Sequence, residues 1–156
     1  MPGALGSWLS GPVSGEPGGP DPDGYPGKDL GLPVSGPRSL ARLGRRLAAL
    51  GVDWLIGYGL AALILRVGWI SAPMLSTAVL VIWLVIGVIS VSLFGFTPGQ
   101  LALGLYVVPV DGASRVSVLG AIGRGLLLSL VVPALFTDTD GRGLQDRLTN
   151  TAVLRR

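Results

Sequence analysis

MLSTAVLVIWLVIGVISVSLF, residues 74–94, is a run of 21 uncharged residues, 13 of them Leu, Ile, Val or Phe. Coiled as a helix at ~1.5 Å per residue it reaches roughly 31 Å, the thickness of a bilayer's hydrocarbon core. Each of those 13 side chains favours insertion by about 0.3–0.6 kcal/mol, several kcal/mol together before the cost of the hydroxyls of Ser76, Thr77, Ser90 and Ser92. The segment reads as a transmembrane helix. The whole chain agrees: of 156 residues, 49% are apolar and only 13% charged, an imbalance foreign to soluble globules.

Working back toward the N-terminus, Leu47 to Ile70 is a second apolar stretch of 24 residues that carries Asp53 and Arg66. Asp53 lies roughly 9 Å in from one end and Arg66 near the other, where a long side chain reaches the interface. Ser71, Ala72 and Pro73 are all that remain for a turn, so segments 47–70 and 74–94 form a tight helical hairpin. A third apolar segment, 116–136, is interrupted by Arg124 and holds Pro133. Its uncharged part, Gly125 to Thr137, spans roughly 20 Å as a helix, short of the ~30 Å core.

Charge orients these segments. Four arginines precede the first (Arg38, Arg42, Arg45, Arg46), none lies in the turn, Arg115 separates the second from the third, and four follow (Arg142, Arg147, Arg155, Arg156). The positive-inside rule places both termini in the cytoplasm and calls for an even number of crossings. The third segment is then re-entrant or interfacial, the alternative being a true third span. Gly104 to Val110 and Arg115 to Val118 flank Asp111-Gly112, a strong hairpin pair, and predict a small cytoplasmic β-hairpin with Pro109 at an edge. Thr151 to Leu154 would add a last strand, and Leu144 with Leu148 suggests a short amphipathic helix.

Residues 1–37 contain 10 Gly, 8 Pro, four acids and one lysine. Too little apolar area is available there to offset ordering entropy, so a disordered acidic tail is expected, and no signal-peptide pattern is present. The membrane domain is residues 38–156. The fold class is an α-helical integral membrane protein: a two-helix transmembrane hairpin, a third re-entrant or spanning segment and a small cytoplasmic β-hairpin.

The chain has neither Cys nor His. Disulfides, thiolate zinc sites and the usual neutral-pH acid–base chemistry are excluded, and no nucleophile–base pair exists on which to build an enzyme. No cofactor or metal is expected, and no nucleic acid, because the arginines flank apolar runs without interleaved aromatics. The sharpest constellation is Arg46 and Asp53, two helical turns apart on one face. A carboxylate at that depth must face protein, water or an ion. Arg66 is on another face and too distant, which leaves Arg124 or a second subunit as its partner.

Three blocks in order, RLAALGVD from Arg46 to Asp53, TPGQ at Thr97 to Gln100 followed by LGLYVVPVDG, and GRGLQDRLTNTAV from Gly141, resemble the RDD family of prokaryotic membrane proteins. The resemblance covers residues 45–154. It implies that Arg46, Asp53 and Asp146 are the signature arginine and two aspartates, with Thr97, Pro98, Gly99 and Arg124 as secondary positions. The lysine usual after Thr-Pro-Gly is Gln100 here, and the histidine common before the last aspartate is Gln145. The family implies a small multi-pass membrane protein, with cation–proton exchange proposed for some members.

Two functions follow as expectations. In one, an oligomer of this chain in the plasma membrane is a transport component, with Asp53 taking a proton or monovalent cation. In the other, Arg46, Asp53 and Asp146 form a structural network in a scaffold or accessory subunit of a partner membrane protein.

Overall fold

Leu43–Val67 forms a single 25-residue helix, α1, in a computed structural model that describes residues 24–130 and 141–156. No proline interrupts it. It ends at Gly68, whose φ of 86° is open to glycine and lets its N–H turn back to the Ile64 and Leu65 carbonyls. That cap stops the helix three residues before the expected Ile70. A 3₁₀ turn, Ala72–Met74, reverses the chain into α2, Leu75–Phe94, which stops at Gly95. Both helices are long and apolar enough to cross a membrane.

α1 and α2 touch through small residues. Ala61 is fully buried, and a side chain on Gly57 would press on the Trp83 side chain and the Val79 carbonyl. Beside this contact the Trp54 and Trp83 rings stack at 5.5 Å. The outward faces, with Leu55, Leu63, Val85, Ile89 and Leu93, are left exposed.

Beyond α2 the chain builds a cap over the end of the helix pair where α1 begins, here the Arg46 end. Its pieces are α3 (Pro98–Ala102), β1 (Leu105–Pro109), α4 (Val118–Ser129), α5 (Leu144–Leu148) and β2 (Thr151–Arg155). Ala41, Ala49, Val91, Leu105, Val107, Val116, Ala121 and Val153 form the core that joins cap to helices.

The expected local hairpin does not form. Asp111 does make a turn, its carboxylate accepting from the Ala113 N–H at 3.1 Å, but β1 pairs antiparallel with β2, Leu105 opposite Arg155 and Pro109 opposite Thr151. Burial decides the partner: β2 is buried over four of its five residues, whereas Ser117 caps α4 by accepting from the Gly120 N–H. Leu40 bridges to Leu154 on the far side of β2.

The tail reading also needs correction at its inner end. From Gly24 the chain is structured, with a 3₁₀ turn at Lys28–Leu30 and with Leu30 and Leu32 packed against Leu40, Ala152 and Leu154. Residues 1–23 lie outside the described residues. α5 departs from expectation differently: Leu144 and Leu148 are exposed, while Gln145 and Asp146 are buried.

α4 is 12 residues, roughly 18 Å, about half a hydrocarbon core. Val116, just before it, packs with Val91 near the C-terminal end of α2, and Gly125 lies against Leu84 and Val88, so α4 climbs α2 from the Arg46 end. Gly141 sits beside Leu40 and Pro26, again at the Arg46 end. The described structure thus breaks off at Leu130, part-way along α2, and resumes at Gly141 back at the Arg46 end. The remainder of the third segment, 131–136, lies outside the described residues.

Because Gly57 meets α2 and Gly59 meets open space, Gly57→Val should wedge the helices apart and destabilise by about 1–3 kcal/mol, the usual cost of overpacking. Gly59→Val should leave thermal stability nearly unchanged. Melting of the two variants in detergent makes the comparison.

Candidate functional site: two carboxylates and the cavity beside them

Asp53 does not pair with an arginine. Its Oδ2 accepts from the Thr97 hydroxyl at 2.5 Å and its Oδ1 from the Gly99 N–H at 2.7 Å. Those donors form the start of α3, and the sequence TPGQ explains itself there residue by residue. Thr97 is the N-cap; its hydroxyl accepts from the Gln100 N–H at 3.2 Å, and the Gln100 side-chain oxygen accepts from the Thr97 N–H at 2.9 Å, closing a capping box. Pro98 occupies the first helical position, where a missing N–H costs nothing. Gly99 must be glycine, since a side chain would run into the Ala49 carbonyl and the Asp53 carboxylate. Gln100 fills a role that lysine, which has no acceptor, could not.

Asp146 lies deeper and is completely buried. Arg46 Nη1 donates to its Oδ2 at 2.7 Å, and Arg124 Nη1 donates to its Oδ1. Arg46 is steadied by its Nε, which donates to the Ala41 carbonyl at 2.8 Å. Arg142 Nη2 donates to the Thr151 carbonyl at 2.8 Å, and the Thr149 hydroxyl donates to the Gln145 carbonyl at 2.6 Å. One carboxylate thus joins α1, α4 and α5, with β2 held alongside.

Arg46 and Asp53 share a face of α1, as their spacing requires, but they serve different partners. Arg124, one of the two expected partners of Asp53, belongs to Asp146 instead. The reason is position: α5 presents Asp146 directly to Arg124, while the start of α3 takes both oxygens of Asp53. Gln145, Thr151 and Arg142 were not singled out as site residues from the sequence. A signal did exist for Arg124 and Asp146, because an arginine inside an apolar helix requires a buried acceptor.

Between α1, α2 and α4 a cavity of about 60 Å³ opens, with Arg46, Asp53, Arg124 and Gln145 at its polar end and apolar residues, Trp83 and Leu128 among them, along its walls. Among the described residues that line it, none forms a nucleophile–base pair.

A model of the RDD family matches residues 40–150. The chain belongs to the RDD family. The match takes in Arg46, Asp53, Arg124 and Asp146, and the five α-helices of the described residues. No curated protein and no solved structure matches the chain. The geometry gives the three singled-out residues separate duties: Arg46 and Asp146 bond to each other, and Asp53 holds the start of α3.

Removing the charge at Asp146 leaves two buried guanidinium groups facing each other, so Asp146→Asn should lose about 3–5 kcal/mol of stability. Gln100→Ala, which opens only the capping box, should lose about 1 kcal/mol. Chemical denaturation in mild detergent would rank the two; equal losses would contradict the assignment.

Proposed function

We propose that this RDD protein is a non-enzymatic subunit of the plasma membrane in which α1 and α2 cross the bilayer. The N-terminal residues and the rest of the cap lie in the cytoplasm, and α4 reaches into the inner leaflet without crossing it. The charge network is a clasp that holds the cap on the helix hairpin, and the assembled surface serves a partner membrane protein or further copies of the chain. What carries this reading is Asp146: completely buried and ion-paired to both Arg46 and Arg124, it is committed to holding elements together. Asp53, with both oxygens bonded to the start of α3, points the same way. The wide apolar faces of α1 and α2 supply the surface toward lipid and partner helices.

The topology follows from arginine placement and from the shared side of Val116 and Gly141. The chain has no cysteine, so single substitutions report it without background. Ser71→Cys should react with a membrane-impermeant maleimide added to intact cells, and Ser114→Cys only after lysis. The opposite pattern would invert the orientation.

A second reading, a transport component, draws support from one observation: Asp53 lines the cavity. Two spans cannot enclose a pathway with alternating gates, so this requires an oligomer. Proteoliposomes under an imposed pH gradient separate the two readings. For a clasp, wild-type protein with sodium, potassium or lithium should dissipate the gradient no faster than empty vesicles, and Asp53→Asn should lower the melting temperature. Cation-driven collapse with wild type, lost in a well-folded Asp53→Asn protein, would make it an exchanger.

A further inference from the structure

The polar end of the cavity offers hydrogen-bonding capacity that the protein does not use. Gln145 lines it, is only 4% exposed, and its Oε1 has no hydrogen-bond partner among the described residues. Such an acceptor, sealed from bulk water and left bare, costs about 1–3 kcal/mol. Arg124 also lines the cavity and is 5% exposed, and its hydrogen bonds all leave from Nη1, to Asp146 and Thr151. Its Nε and Nη2 donors have no protein acceptor among the described residues. Both residues therefore line one space between α1, α2 and α4.

Charge and size define what fits. Among the described residues that line the chamber or pair with its lining, Arg46 and Arg124 balance Asp53 and Asp146, and an added ion of either sign would sit uncompensated in a poorly polarisable surround. The guest must be neutral and must both donate, to Gln145 Oε1, and accept, from Arg124. At ~10–15 Å³ of accessible space per molecule, about four waters fill the roughly 60 Å³ available. Cavities lined by aliphatic groups alone stay dry, whereas those offering two to four polar partners hold water.

We propose that this chamber is a built-in water site, a small cluster of waters held by Gln145 and Arg124 that extends to the cavity face of Asp53. The waters give the Gln145 carbonyl its donor and give Arg124 its remaining acceptors. They also join two charged sites that the protein itself keeps apart, Asp53 on the start of α3 and Asp146 among the arginines. Gln145 is the residue that fixes the cluster, and this holds whether the charges act as a clasp or serve a pathway.

Radiolytic hydroxyl-radical footprinting of the full chain in lipid nanodiscs tests it, because radicals born on a bound water modify the side chains touching that water. Two buried valines serve as the pair: Val153 lines the chamber and Val79 does not, and they are 1% and 4% exposed. The expected result is severalfold faster modification of Val153 than of Val79 in wild type, falling to the Val79 rate in Gln145→Leu. The melting temperature of Gln145→Leu should also drop, because the waters lose an anchor. Equal, slow modification of both valines in wild type would show a dry chamber and overturn the proposal without recourse to any variant. Fast Val153 modification that survives Gln145→Leu, or a melting temperature that rises as the bare acceptor is removed, would overturn the role of Gln145.

Discussion

Asp146, cut off from solvent and held between two guanidinium groups, is the contact on which the rest of the cap depends. Its two oxygens are claimed by arginines that come from α1 and α4, a hundred residues and twenty-two residues away along the chain. A buried carboxylate of this kind is tolerated only while both partners stay in place, so it penalises any arrangement in which α5 drifts from the helices. Thr149 and Asn150, the latter at a φ of 54° that asparagine accepts, then turn the chain straight into β2. The ion pair therefore places β2, and β2 selects β1 as its neighbour.

The second carboxylate does for α3 what the first does for α5. By bonding to the Thr97 hydroxyl and the Gly99 N–H, Asp53 pins the chain as it leaves α2, and the Gly95 carbonyl, accepting from the Val107 N–H at 2.6 Å, aligns β1 beside it. Arg156 over the Phe96 ring, 5.0 Å from its centroid, closes the same corner. The two aspartates thus fix both edges of one small cap, and the cavity is the space left where α1 and α4 are each held to α2 and not to each other.

Much of this was legible in the residues. The run from Met74 to Phe94 and the stretch before it specify long apolar helices by length alone. The letters Arg46, Asp53 and Asp146 were visible as a set, as was TPG. Their pairing was not, because helical spacing says which residues share a face and nothing about what lies opposite that face. Arg46 and Asp53 sit together on α1 yet reach for elements that arrive 100 and 44 residues later. The Asp111-Gly112 pair misled for a related reason: it specifies a reversal of direction, whereas strand pairing is decided by which segment can be buried. α5 shows the limit most sharply. Its leucines announce an amphipathic helix, but the ion pair outweighs them and turns Gln145 and Asp146 inward.

The role of the charges as a unit is most directly tested by the thermal stability, in nanodiscs, of Asp146→Leu alone against the triple replacement Arg46→Met, Arg124→Met, Asp146→Leu. Breaking a buried ion cluster strands its remaining charges, while replacing all of it with apolar side chains of similar size removes the stranding. If the three residues form a clasp, the single variant melts far below wild type and the triple recovers most of that loss. If the triple melts lower still, with the individual losses adding, the three charges do not act together and the clasp is contradicted.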